Sequence, residues 1–369
     1  MAGLAAWGTL GGAIAEPPPE SHADSFSKEG LLKADVSKLK DTQLVAHPDV
    51  PLDPGKNVLW CGTLQLAWNE AIYLVGEKLR FVDQPSVVNL LNQEDFTGTD
   101  LDAASYVALA DFERNNVEDE IRAALEKTFH GAASPELIPE KPRNPGPDDF
   151  VAYAYLYKNL AFAQPFEDNS PLDFSKSKVK NFGFTTNFQR LPDGLIEQVS
   201  ICDYQSPDDF VIKLKTKSRD DELIMAKIPP ASTLQATIDN VLQRATTNKP
   251  VMPIAGDLLA VPKLNFDLSG DFPALEGLIL QPGLTAHVKN LKTKTVKQLI
   301  RFQLNENGAI LKSEAVVAMA ASAVFAKPEP HYMIFDKPFL ILMKRSDSAK
   351  PYFSLWVGNA SLLVPATNP

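Results

Sequence analysis

A succession of short strand-forming segments fills the chain from residue 150 onward, and this pattern constrains the fold more than any other feature. One helical pattern, Thr233 to Arg244, interrupts it. The segments are residues 150–162, 178–188, 195–203, 210–215, 222–228, 258–268, 296–304, 338–343 and 352–357. Before residue 147 the apolar spacing favours helices, at residues 64–79, 87–91 and 100–129. Helices first and strands later predict an α+β fold.

Composition excludes several classes of function. The 369 residues are 44% hydrophobic and 22% charged, which suits a globular domain with a sizeable core. The 36 Lys and Arg against 46 Asp and Glu give a net charge of −10, which argues against a nucleic-acid or anionic-membrane partner. No apolar run reaches the length of a membrane-spanning helix.

Prolines recur between residues 17 and 54 and prevent a continuous helix in the N-terminal part of the chain. We therefore predict a Pro-rich, poorly ordered lead-in over residues 1–56, with a short helix at residues 29–39, and one domain over residues 57–369. The stretch Leu4 to Ala15 resembles a weak signal sequence, because no basic residue precedes Lys28. The compartment stays open between extracellular and cytoplasmic.

The residues show no catalytic, cofactor or metal constellation. The five histidines share no ligand spacing, and no Gly-rich phosphate loop opens a helix. Cys61 and Cys202 are too few for a disulfide framework, and Cys61 is interpreted as a core residue rather than a nucleophile. The acidic groups at residues 148–149, 208–209 and 220–222 are interpreted as solvated charge rather than as cation ligands. We expect no enzyme activity, no cofactor and no metal.

A basic stripe lies near residues 289–301. It leaves two alternatives open, a solvated strand face or a weak, salt-sensitive site for an acidic polymer. Its members are Lys289, Lys292, Lys294, Lys297 and Arg301.

The segment Ala315 to Ala326 is uncharged and rich in Ala and β-branched residues. As a helix it lacks a polar face, and as an exposed loop it would be prone to strand pairing. A loop of this composition suits insertion into a β-sheet, where its backbone gains ladder partners and its small side chains fit between strands.

The order of motifs around this segment resembles the C-terminal region of serpins. Residues 298–308 (QLIRFQLNENG) resemble a strand ending in the acidic-Gly hinge, and residues 314–323 (EAVVAMAASA) an Ala-rich reactive loop. The Phe-x-x-Pro-Phe motif follows at residues 335–339, and residues 352–363 with Gly358 resemble the final strand. Residues 152–166 and the Pro-Lys strand at residues 262–263 are similar to the family's central strands.

The resemblance implies a serpin-like fold, with helices packed on a large, mostly antiparallel sheet, further sheets and an exposed reactive loop at about residues 309–330. It also implies a hinge composed of Glu306, Gly308, Ser313, Glu314, Ala315, Ala318, Ala320 and Ala321. The chain departs from the family in four ways. The Phe-Ser-Pro-x-Ser-Ile shutter motif is absent at residues 59–64, Phe162 replaces a Trp, and residues 309–313 resemble a hinge insertion. The fourth departure is from the small, uncharged residues expected on the inserting face, at Lys312, Val316, Val317 and Met319.

Counting from Phe335 and Glu314 places the scissile bond at Ala326-Lys327 or Lys327-Pro328. Because Pro328 hinders cleavage before it, Ala326 is favoured and an elastase-like or subtilisin-like serine protease is the expected partner. The resemblance thus predicts a secreted, monomeric inhibitor that acts as a suicide substrate through loop cleavage and insertion. The alternative is a noninhibitory binding or scaffold protein with the same fold.

Overall fold

The computed structural model describes residues 26–185, 194–281, 291–309 and 329–366. Helices α1 to α4 span Thr63–Val75, Ser86–Leu91, Val117–Phe129 and Leu234–Thr247. Strands β1 to β10 span Leu32–Asp35, Thr42–Leu44, Asn57–Cys61, Tyr106–Phe112, Phe150–Leu156, Leu160–Ala161, Glu167–Asp168, Leu172–Phe174, Ser177–Val179 and Asn181–Thr185. Strands β11 to β20 span Val199–Ser206, Asp209–Leu214, Asp221–Lys227, Leu258–Pro262, Leu264–Asp271, Lys297–Leu304, Gly308–Ala309, Tyr332–Ile334, Phe339–Arg345 and Pro351–Val357. The α+β prediction is confirmed.

The largest sheet within these residues has seven strands, in the order β11-β12-β13-β19-β20-β3-β2. Its pairs are antiparallel except β2 with β3. Strand β20 is buried along its whole length, as a near-continuous apolar strand requires. This sheet forms much of the main core, and a four-stranded sheet, β18-β14-β10-β7, packs beside it.

Two smaller sheets face each other across the fold. One is the antiparallel pair β4-β5, with α3 packed against it, and the other has the order β1-β15-β16. The described ladders do not join β5 to β16. The large, mostly antiparallel sheet and the further sheets that the resemblance implied are thus present, and the two smaller sheets are separated between β5 and β16 in the described residues.

Helix α1 lies beneath that separation, and its sequence explains why it is buried. Leu64, Trp68, Ala71, Ile72 and Val75 recur at helical spacing and pack into the core. The helix ends at Gly76, whose φ of 84° suits the left-handed C-cap position. In the part of the chain that the structure describes, no helix has the length and apolarity needed to cross a membrane.

Two sequence predictions are corrected by the fold. The helix expected over residues 100–129 divides into strand β4 and helix α3, because residues 106–112 pair along their whole length with β5. Strand β1 replaces the helix expected at residues 29–39, since residues 32–35 pair in parallel with β15. Residues 1–25 lie outside the described residues.

Candidate functional site

The candidate site is the cleft between β5 and β16, which encloses about 640 Å³. Helix α1 forms its floor through Leu64, Ala67 and Trp68. Strand β5 forms one wall. The other wall is formed by residues 291–301, which comprise the segment before β16 and the first part of that strand. In the described residues the facing edges of β5 and β16 share no ladder, so neither edge is paired with the other across the cleft.

The chain that leaves β16 turns and starts a further strand beside β6, which follows β5 in the chain. After β16, residues Asn305 to Gly308 make a tight turn, and β17 pairs antiparallel with β6, Gly308 opposite Ala161 and Ala309 opposite Leu160. Two further backbone bonds fix the turn, from Phe162 N–H to Asn307 O at 3.0 Å and from Phe166 N–H to Glu306 O at 2.8 Å. Residues 308 and 309 therefore form the start of a strand beside β6.

Gly308 is required by this close approach. Its φ is 124°, and an added Cβ would lie 2.5 Å from Leu160 O and 2.6 Å from Ala161 Cα. Both contacts are with backbone atoms that cannot rotate away. Gly308, which the resemblance assigned to the hinge, thus permits the β17–β6 pairing because it has no side chain.

Lys263 holds the turn from the neighbouring sheet. Its Nζ lies 2.5 Å from Glu306 Oε2 and also pairs with Asp168. Burial opposes the charge of Lys263, but hydrogen bonds to Asp168 and Glu306 outweigh it and raise the pKa of the ammonium group. The Pro-Lys strand and the acidic hinge, which the sequence recognised separately, therefore meet in one ion-pair group.

Gln298 ties β16 to the start of α1, where the shutter motif is missing. Its Nε2 donates to Cys61 O at 3.0 Å and to Thr63 Oγ1 at 2.6 Å, and the residue is almost fully buried. No motif in the sequence points to this contact, because Gln298 and Thr63 are 235 positions apart. A different set of side chains therefore links strand and helix at this place.

Several of the charged residues that the sequence singled out form pairs within the protein. Lys294 pairs with Asp149, Lys297 pairs with Asp271, and Arg301 stacks on the Phe26 ring, so much of the basic stripe is engaged within the protein. The acidic groups are also paired with lysines or arginines, as in Asp208 with Lys227. Candidates outside the described residues are Lys289, Ser313, Glu314, Ala315, Ala318, Ala320, Ala321, Ala326, Lys327 and Pro328.

Both cysteines are free and buried. Burial raises the pKa of the Cys61 thiol, and likewise that of Cys202, which makes both poor nucleophiles at neutral pH. Within the described ranges, no three His, Cys, Asp or Glu side chains are arranged to hold a metal ion.

Comparison with known proteins gives the class of fold. No family model and no curated protein sequence matches the chain. Among solved structures, a tumour suppressing serpin matches 83% of this chain and 93% of its own, with a TM-score of 0.50 and 9% identity. Serpin48 from the insect Tenebrio molitor matches 82% and 92%, with a TM-score of 0.46 and 13% identity. A thyroxine-binding globulin complexed with thyroxine matches 83% and 93%, with a TM-score of 0.47 and 12% identity.

The match to the tumour suppressing serpin shows that the chain has a serpin fold. At these identities the likeness concerns the fold alone.

Proposed function

We propose that the protein is a serine protease inhibitor that acts as a suicide substrate. The observation that supports this most directly is the strand start at Gly308–Ala309, which pairs with β6, while no described ladder joins β5 to β16 across the cleft. Residues 310–328 follow this strand start directly. If the loop is cleaved, its N-terminal part gains ladder partners on β5 and β16 by entering the cleft.

In this mechanism the protease serine attacks the carbonyl carbon of Ala326, and an ester bond to the protease replaces the peptide bond to Lys327. The freed N-terminal part of the loop inserts and carries the acyl-linked protease with it. The inhibitor contributes stored folding free energy, since the uncleaved state is kinetically rather than thermodynamically favoured. It supplies no catalytic group, and the partner is an elastase-like or subtilisin-like protease.

The test is a stoichiometric reaction with elastase or subtilisin, followed by a denaturing gel and a melting curve. We expect a protease-linked band that survives denaturant and a melting temperature raised by roughly 10 °C or more, because a full strand adds ladder bonds on both edges. Ala326→Glu should abolish the elastase-linked band, whereas the matched Lys327→Ala variant should retain it.

Two results would decide against inhibition. A rise in melting temperature with no linked band means that the loop inserts but the protease escapes. An unchanged or lower melting temperature after cleavage means that no insertion occurs. Either result would favour the noninhibitory binding or scaffold protein, an alternative suggested by the bulky and charged residues Ile310, Leu311 and Lys312 after the strand start.

A further inference from the structure

Ion pairs bridge the cleft between two groups of elements. One group, the β5 side, comprises β4, β5, α3 and the covering segment, residues 132–139, which follows α3. The other group, the β16 side, comprises β1, β15, β16 and residues 291–296. Since the described ladders do not join β5 to β16, contacts between side chains contribute to the width of the cleft.

The first bridge lies at the end of the cleft opposite the hinge. Lys294, just before β16, places Nζ 3.0 Å from Oδ2 of Asp149, just before β5. Asp149 is held in place because Gly146 N–H donates to the same oxygen at 3.1 Å. The pKa of Asp149 is lowered by the hydrogen bond from Lys294 and by that from Gly146, so the pair is charged at neutral pH.

The second bridge joins Lys33 of β1 to Glu136 of the covering segment. Lys33 and Arg301 flank Asp267 in register across β1, β15 and β16. Lys33 Nζ lies 3.0 Å from Asp267 Oδ2, and it also donates to Glu136 Oε2 at 3.3 Å. Asp267 is 3% exposed, so it fixes the ammonium group over the sheet.

Glu136 belongs to the covering segment, which is anchored on the β5 side. Ser134 N–H contacts Tyr155 Oη at 3.4 Å, and Ala133 and Ile138 pack against the α3–β4–β5 cluster. The covering segment therefore reaches from its anchor on the β5 side to Lys33 on the β16 side. Glu136 also lines the cleft.

We propose that the pairs Lys294–Asp149 and Lys33–Glu136 form an electrostatic clasp that holds the cleft narrow and makes its opening sensitive to ionic strength. The lysines are 70% and 65% exposed, so salt screens both pairs and each is individually weak. Only the consequence, control over the rate of loop insertion, depends on the proposed function.

The clasp is tested by the accessibility of the cleft floor, without any protease. Ala67 lines that floor on α1, and Ala67→Cys supplies a thiol that a bulky fluorescent maleimide reaches when the cleft widens. In this background we expect Lys33→Gln with Lys294→Gln to increase the labelling rate about 2- to 10-fold at low salt. Sodium chloride at about 0.5 M should raise the parent to a similar rate and leave the double variant little changed.

Matched controls separate the clasp from general destabilisation. Lys178→Gln with Lys337→Gln removes the same charge from pairs with Asp173 and Asp208, none of which lines the cleft, and should leave labelling unchanged. The swap Lys294→Asp with Asp149→Lys reverses the two charges but keeps the pair. Its labelling rate should therefore lie closer to that of the parent than to that of the double Lys→Gln variant. Labelling of buried Cys202 monitors global unfolding in every variant.

A double variant that labels at the parental rate, or controls that accelerate equally, would overturn the clasp. Neither result bears on inhibition, which the protease-linked band decides separately.

Discussion

At the scale of single residues, Gly308 shows how a turn signal and a packing requirement coincide. The Asn-Gly pair at residues 307–308 is typical of a tight turn, so the turn itself is readable from the sequence. The contact of Gly308 with the backbone of residues 160–162 is not, because those residues are distant in the chain. The glycine therefore serves both the turn and the start of β17.

We predict that Gly308→Ala destabilises the protein by roughly 3 kcal/mol, through a strained φ and a collision with the β6 backbone. Gly76→Ala is the matched control, because Gly76 also has a positive φ, of 84°, but an added Cβ meets nothing within 4 Å. Its expected cost is about 1 kcal/mol, from backbone strain alone. Urea unfolding measures both values, and equal costs for the two variants would refute the collision.

His47 predicts a pH dependence of stability. The residue is buried, its Nδ1 accepts the Asp49 N–H at 3.1 Å, and burial lowers the pKa of the imidazole below 6.5 despite the nearby Asp95 and Asp49. Because the unfolded chain then binds the proton first, the stabilising contribution is complete above pH 6.5. It is lost as pH falls through the folded-state pKa, with a slope of at most about 1.4 kcal/mol per pH unit.

The measurement is urea unfolding at pH 7.5 and pH 5.5. His47→Asn keeps a hydrogen-bond acceptor near Asp49 and should show a smaller loss of stability on acidification than the parent. His130→Asn, at an exposed helix end, should retain the parental loss. Identical pH dependence in the parent and His47→Asn would exclude this histidine as a source of acid sensitivity.

At the scale of elements, the sequence predicted those whose partners reinforce their own propensity. Helix α4 follows a Thr233 cap and buries Leu234, Ile238, Val241 and Ala245 at helical spacing, so pattern and packing agree. Strands β12, β13, β19 and β20 are apolar runs of strand length and lie where the pattern indicated. For these elements local and tertiary preferences coincide.

The elements that were predicted wrongly are those in which a distant partner decides the conformation. The apolar spacing predicts a helix over residues 106–112, but these residues form a strand because they pair with β5, and residues 32–35 form a strand because they pair with β15. The two sides of the cleft are built from these same pairings, β4 with β5 and β1 with β15, between residues distant in the chain. The sequence therefore pointed to the hinge, through the family resemblance, but not to the walls of the cleft.

At the scale of the whole molecule, the N-terminal strand closes one end of a divided fold. Strand β1 covers the outer edge of β15, while the opposite side of that sheet, at β16, faces the cleft. Asn265 adds to this attachment, since its Nδ2 donates to Ser27 O at 3.0 Å and to Glu29 O at 2.7 Å. The sheet that bounds the cleft is thus supported by residues that precede the domain predicted from the sequence.

Removing β1 should therefore destabilise the protein and expose an edge strand. Relative to a chain that starts at residue 26, a chain that starts at residue 36 loses the pairing of residues 32–35 with residues 266–269 and the Lys33 partner of buried Asp267. We expect a loss of about 3 kcal/mol in urea unfolding and concentration-dependent association in light scattering, because the uncovered β15 edge can pair with another molecule.

Lys33→Gln in the chain that starts at residue 26 separates the ion pair from the edge, since it removes the charge and keeps the strand. It should cost less than about 1 kcal/mol, because the lysine is largely exposed, and it should leave the scattering unchanged. If the shorter chain scatters like its reference and unfolds at the same urea concentration, β1 contributes neither stability nor edge protection, and the fold is complete without it.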